Sequence, residues 1–180
     1  METFLLKNGE KVFIREALPN DAQQIIDFYN LVGGETDFLS FGKDEFTTDV
    51  AAFQTTIQKT QQLQGSIMYL AIANDEIISI ATIDSPLKKR VQHVGTLGIV
   101  IRETHTGLGL GKKMMNELIE WARTNGVTEK ITLLTREDNE TAIQLYKKLG
   151  FETEGILKKD TLINGTYYNT LSMALLLQKN

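Results

Sequence analysis

An apolar run, Leu97-Gly98-Ile99-Val100-Ile101, passes through a short polar loop into Thr106-Gly107-Leu108-Gly109-Leu110-Gly111. A helical stripe of Met114, Met115, Leu118, Ile119 and Ala122 follows at once. This junction of strand, glycine turn and helix constrains the fold more than any other part of the chain. The continuous apolar run predicts a strand buried on both faces. Glycines at alternate positions bare the backbone N–H groups where the helix begins, and with the helix dipole those amides make a site for an anion. The plain structural alternative is a tight turn that holds nothing. Lys112 and Lys113 bear on the choice. They sit in the first helical turn, where the dipole disfavours cations by roughly a few tenths of a kcal/mol. A bound phosphate would reverse the sign of that cost; otherwise both lysines point into water.

The rest of the chain reads outward from that junction. Phe4-Leu5-Leu6, Asn8-Gly9 and Val12-Phe13-Ile14 spell a hairpin. Pro19 stops the second strand, Asn20 is placed to cap a helix, and Ala22, Ile25, Ile26 and Tyr29 recur at helical spacing up to Gly33-Gly34. Residues 35–45 show no period and predict a loop. A second helix is expected over 48–63, then strands over 67–73 and 76–83 joined at Asn74-Asp75, and a longer strand over 92–101. After the glycine turn and its helix come a short strand over 130–135, a helix capped by Asp138 or Asn139, and two strands, near 151–158 and 167–177, about the Asn164-Gly165 turn. A strand–helix–strand passage from Gln92 to Thr135 requires a parallel crossover. The strands before it require antiparallel pairing. The predicted class is α/β (α+β): a mixed, largely antiparallel central sheet with one parallel strand pair and helices on both faces.

Composition narrows the function. The 180 residues contain no linker or repeat, so one domain over 1–180 is expected. No cysteine occurs, which excludes a disulfide scaffold, a thiolate metal site and a Cys nucleophile. A formal charge of −4 argues against non-specific nucleic-acid binding and favours a neutral or cationic partner. The apolar run Met173–Leu177 is far below membrane-spanning length, and no signal core is visible, so cytoplasmic residence is expected. The only histidines are His93 and His105, and no metal motif surrounds them. His105, beside the glycine turn, could contact a phosphate or simply be solvated. Two familiar phosphate loops fail on spacing. A Walker loop would need glycine at Thr106 and Ser or Thr at Lys113, and a dinucleotide fingerprint needs two residues where only Leu110 separates Gly109 from Gly111.

The run Leu97-Gly-Ile-Val-Ile, the turn Thr106-Gly-Leu-Gly-Leu-Gly-Lys-Lys, and Leu118-Ile-Glu-Trp-Ala together resemble the acetyl-CoA-binding core of the GNAT acyltransferases. Asn139-Glu-Thr-Ala-Ile-Gln-Leu-Tyr-Lys-Lys-Leu-Gly-Phe151 resembles the family's second signature. Gly155, the Asn164-Gly165 turn and Leu171-Ser-Met-Ala-Leu look like the tail of the branch that includes phosphinothricin-type and ribosomal-protein N-acetyltransferases. The likeness runs over about 92–177, which makes 92–177 the coenzyme core and 1–91 the acceptor-side half. It implies that Ile99, Val100 and Ile101 offer backbone groups to the pantetheine arm and acetyl carbonyl. It also implies that Thr106, Gly107, Leu108, Gly109, Leu110, Gly111 and Lys112 surround the pyrophosphate. Asn139 would touch pantetheine, Ala142 would pack nearby, and Tyr146 would lie beside the thioester sulfur. One departure stands out. The family usually carries Gln or Arg where this chain has Thr106, so a weaker grip on the phosphates is expected; the backbone donors do not depend on that side chain.

The implied activity is transfer of an acetyl group from acetyl-CoA directly to a primary amine of a small molecule or protein N-terminus, without a metal. A non-catalytic acyl-CoA sensor is the alternative, and a P-loop nucleotide protein a more distant one. Without cysteine, direct attack in a ternary complex is expected. Tyr146 is the candidate acid toward the leaving thiolate; its plain alternative is a core aromatic. Glu35, Asp37 and Glu45 fall in the irregular segment expected to cap the acceptor pocket, each a solvated loop charge first and a base second. The last strand, Tyr167–Leu177, is expected to pair across a two-fold axis in a homodimer.

Overall fold

The computed structural model of the chain describes residues 2–178. Gly9, with φ +85°, turns the chain between β1 (Glu2–Leu5) and β2 (Lys11–Glu16), which pair antiparallel as the Asn-Gly signal requires. Pro19–Asp21 forms a single 3₁₀ turn before α1 (Ala22–Val32). The residue holding this turn is not Asn20, as the sequence suggested, but Asp21. Its carboxylate accepts the Leu18 N–H at 2.7 Å and a two-pronged bond from Arg15 at 2.6 and 2.7 Å. A carboxylate beside a fixed guanidinium makes a stronger acceptor than a neutral amide. α2 (Val50–Gln62) is capped by Asp49, which accepts from the Ala52 N–H at 2.9 Å.

β3 (Ile67–Ala73), β4 (Glu76–Asp84) and β5 (Val94–Ile101) continue the antiparallel sheet. α3 (Leu110–Thr124) then carries the chain across to β6 (Lys130–Arg136), which runs parallel to β5. α4 (Glu140–Lys148), β7 (Glu152–Ile163) and β8 (Thr166–Leu176) complete one eight-stranded sheet in the order β1-β2-β3-β4-β5-β6-β8-β7. The sheet therefore has one parallel pair, and helices cover both faces. On one face α1 and α2 pack Ile25, Phe28, Phe53 and Ile57 against Met68, Leu70, Ile72 and Ile80. On the other, Met114, Met115 and Leu118 of α3 and Tyr146 of α4 pack against Ala71, Ile78, Ala81, Leu97 and Ile131.

Two expectations are corrected here. β8 lies between β6 and β7, with both of its edges hydrogen-bonded, so it has no free edge to pair across a two-fold axis. The exposed edges of this sheet belong to β1 and β7. The run Leu97–Ile101 is also not buried on both faces, since Ile99, Val100 and Ile101 are only half-buried and Gly98 is exposed. β5 and β6 pair over Val94–Thr96 and Lys130–Thr132 and then part. On the opposite face, α1 and α2 cover β2–β4 but leave β5, β6 and β8 largely open. A strand buried in sequence terms is thus left lining a cleft.

Candidate active site

The parting of β5 and β6 fixes what the cleft offers. The His93 carbonyl accepts from the Lys130 N–H at 3.1 Å, so His93 faces β6. The Arg102 N–H donates to the Ile78 carbonyl at 3.0 Å, so Arg102 faces β4. Backbone polarity alternates along a strand. The rung of Thr96 on Thr132 uses the Leu97 N–H, so it is the Leu97 C=O and the N–H and C=O groups of Ile99 and Ile101 that turn into the cleft, where no described strand answers them. Val100 turns the other way, and its carbonyl accepts the Ser79 hydroxyl at 2.8 Å.

At the end of β5 the glycine turn is held open from outside. Gly107 and Gly109 take φ +73° and +93°, a left-handed conformation that costs L side chains about 1–2 kcal/mol. Gly109 is the N-cap of α3. Among the described residues, the amides of Gly107, Leu108, Gly109, Leu110, Gly111 and Lys112 find no protein acceptor. They are the orphan donors of a helix start, extended by the turn before it. The N-terminal hairpin steadies them from behind. The Lys7 N–H donates to the Leu108 carbonyl at 3.2 Å, and Lys7 Nζ to the Gly107 carbonyl at 3.3 Å.

Side chains near this turn divide clearly. Lys112 is exposed and has no partner among the described residues, whereas Lys113 pairs with Glu117 at 2.8 Å and lies over the Phe4 ring. Thr106 turns its hydroxyl back to the Glu103 carbonyl at 2.8 Å. His105 stands 3.2 Å from Glu10 and 2.9 Å from the Thr104 hydroxyl, so it ties the hairpin to the loop. Gly111 leaves room for its neighbours: a Cβ there would stand 3.1 Å from Ile101 Cδ1 and 3.4 Å from Leu145 Cδ2.

α4 supplies the remaining expected residues. Asn139 caps it by accepting from the Ala142 N–H at 3.3 Å, and its amide nitrogen has no acceptor among the described residues. Ala142 is half-buried against the core on this face. Tyr146 is buried, packs its ring 6.0 Å from Phe151, and has no hydrogen-bond partner for its hydroxyl among the described residues. Burial pushes its pKa up to about 12, so the phenol keeps its proton throughout the neutral range.

The segment after α1 is more ordered than its sequence suggests. Glu35 accepts from Arg102 Nε at 3.0 Å and from the Glu103 N–H at 2.8 Å. The Asp37 carbonyl accepts from Arg136 at 2.8 Å, and Glu45 accepts from the Gly42 N–H at 2.7 Å. Phe41 and Phe46 pack on Tyr29 with centroids 5.7 and 4.6 Å apart. Arg102 follows β5 and Arg136 ends β6, so the segment after α1 is fastened to both lips of the cleft. Arg136 was not expected from sequence. It is buried, doubly bonded to Asp138 at 2.9 and 2.5 Å, and stacked 3.7 Å from the Tyr168 ring centroid and 4.8 Å from that of Phe38. Glu35, whose two carboxylate oxygens are both engaged, is thus a tether and a poor base.

The Acetyltransferase (GNAT) family model matches residues 36–151, well over half of the chain. The L-amino acid N-acetyltransferase AaaT of Escherichia coli (strain K12) is 34% identical over 110 residues, 61% of this chain and 68% of that protein. A GNAT-family acetyltransferase from Streptococcus pneumoniae, known from its crystal structure, superposes with a TM-score of 0.90 at 34% identity, covering 92% of this chain and 99% of that one. yncA of Salmonella typhimurium, solved with its cofactor acetyl-CoA, shares the fold at a TM-score of 0.80 and 21% identity, covering 94% of this chain and 95% of that one. With the parted strands, the bared amides and both signatures in order, the chain belongs to the GNAT acetyltransferase family.

Proposed function

We propose that this enzyme binds acetyl-CoA in the cleft between β5 and β6 and passes its acetyl group directly to a primary amine. The observation that carries this reading is the row of unanswered amides from Gly107 to Lys112 at the mouth of a cleft lined by Ile99 and Ile101. A diphosphate satisfies those amides and complements the dipole of α3. The pantetheine then runs beside Ile99 and Ile101, whose cleft-facing amides bond its own amide groups, as a third strand would. Asn139 is free to donate to the pantetheine and Lys112 to approach the phosphates, while Ala142 packs beside the arm. The Salmonella protein of the same fold holds acetyl-CoA, which supports the choice of coenzyme.

The chemistry requires a neutral amine, a stabilised carbonyl oxygen and an exit for the thiolate. The N–H of Ile99, pointing into the cleft, stabilises the negative charge on the acetyl oxygen in the tetrahedral adduct. Tyr146 serves the thiolate. A thiol has a pKa of about 8.5, well below the Tyr146 phenol at about 12. Full proton transfer is therefore uphill, and Tyr146 stabilises the thiolate by a hydrogen bond while the final proton arrives from water. An assay of free thiol release, with acetyl-CoA and a panel of amines, tests the reading. Thiol release that depends on the amine supports it; binding of acetyl-CoA without transfer to any amine would leave only the sensor alternative.

A further inference from the structure

Asp84 ends β4, opposite Thr96 of β5, and Thr96 in turn stands opposite Thr132 of β6, the last rung before the two strands part. Alternation along β4 puts Asp84 on the side of Ile80, which packs beneath α1 and α2. Tyr29 of α1 is close enough to feel its charge, which together with burial holds the Tyr29 phenol above its ordinary range. Asp84 has no ion-pair or hydrogen-bond partner among the described residues. Of the carboxylates in the segment after α1, Glu35 pairs with Arg102, Glu45 accepts the Gly42 N–H, and Asp37 lies within reach of the charge of Arg136.

We infer that Asp84 is the anchor for the acceptor's ammonium, and that the acceptor is a cationic alkyl amine with no carboxylate next to its nitrogen. This rests on the proposed transfer from acetyl-CoA and names the acceptor for it. A carboxylate at the end of β4, beside the point where β5 and β6 separate, stands at the side of the cleft away from α3 and α4, where an amine must enter. An α-carboxylate on the acceptor would be forced against Asp84. The two arginines of this side cannot receive it, since Arg102 is paired with Glu35 and Arg136 with Asp138. The aromatic rings of Tyr29, Phe41 and Phe46 on the same side suit an alkyl chain that ends in a cation. Asp84 is solvent-accessible, yet the surrounding protein desolvates its carboxyl enough to raise its pKa, which makes it a better proton acceptor.

The protons balance as follows. Before attack the ammonium loses one proton to base in bulk solvent, since a carboxylate is far too weak a base to hold a proton taken from an alkylammonium. The nitrogen lone pair forms the C–N bond at the acetyl carbon, and the carbonyl π pair moves to oxygen. The nitrogen of this adduct is positively charged and acidic, and its proton passes to Asp84. The oxygen pair returns, the C–S bond breaks, and the thiolate takes a proton from water. Asp84 returns its own proton to solvent.

The test uses the full chain with n-pentylamine, 1,5-diaminopentane and L-norleucine as acceptors, and calorimetric titration with acetyl-CoA alongside. The wild type should acetylate the two alkyl amines with kcat/KM at least about ten-fold above norleucine. Asp84→Asn should lose about ten- to hundred-fold in kcat/KM for pentylamine, with acetyl-CoA affinity within about two-fold, and Asp84→Glu should recover part of the loss. Norleucine as the better acceptor, no transfer to either alkyl amine, or full activity of Asp84→Asn would each overturn the inference. Failure of the wild type to bind acetyl-CoA would instead remove the transfer reading beneath it.

Discussion

The proposed chemistry meets the fold most sharply at the Tyr146 hydroxyl. Its phenol is buried and unpartnered among the described residues, and its pKa lies near 12. Tyr146→Phe keeps the ring against Phe151 and removes only the hydroxyl, and with it the hydrogen bond proposed to the developing thiolate. A hydrogen bond to a charged group contributes about 1.5–3 kcal/mol, so kcat should fall roughly ten- to hundred-fold. The affinity for acetyl-CoA, read by calorimetry, should stay nearly constant. The same group contributes to stability, and the sign follows from its raised pKa. The folded chain prefers the protonated phenol, so this contribution is complete below pH about 10 and is lost as pH climbs toward about 12. Denaturant melts of Tyr146→Phe against wild type over that window should show a shallower alkaline decline in the variant. The place of Tyr146 on a helix was legible in the sequence from the helical pattern. Asp84 was not, because its position depends on the register of β4 against β5, which no local pattern encodes.

At the scale of elements, the glycine turn was legible for the reason that its chemistry belongs to the backbone. Amides bared before a helix do not need distant partners to be recognised. Gly109→Ala tests this directly. A Cβ at Gly109 meets nothing closer than Lys7 Cε at 3.9 Å, so the cost is conformational, about 1–2 kcal/mol at φ +93°. The melting temperature should drop by a few degrees, and acetyl-CoA affinity should fall at least about ten-fold as the amides turn away; unchanged affinity would mean the turn holds no diphosphate. The segment after α1 was not legible. Its order comes from Arg102 and Arg136, partners far along the chain, and from rings packed on Tyr29. Arg136→Met removes the bond to the Asp37 carbonyl and leaves Asp138 unpaired. KM for the amine should rise several-fold in steady-state assays, with KM for acetyl-CoA little changed.

The whole molecule is one sheet with a covered part and an open part. β1–β4, with α1 and α2, form a packed half whose helices stop short of β5, and the parted strands beside them remain open. The alternation of helices and strands predicted this mixed sheet and its single parallel pair. It missed the interior position of β8, because strand order across a hairpin is a long-range property. Coenzyme binding should stabilise the fold as a whole. At one hundred times its Kd, acetyl-CoA adds about 2.7 kcal/mol. For a chain of this length that raises the melting temperature by roughly 5 to 10 °C, and ATP with magnesium should leave it unchanged. The most direct measurement is a crystal structure of the enzyme with acetyl-CoA. The expected map shows the diphosphate within hydrogen-bond distance of the amides from Gly107 to Lys112, the pantetheine beside Ile99 and Ile101, and the sulfur near the Tyr146 hydroxyl. Coenzyme bound elsewhere, with those amides facing only water, would contradict the account.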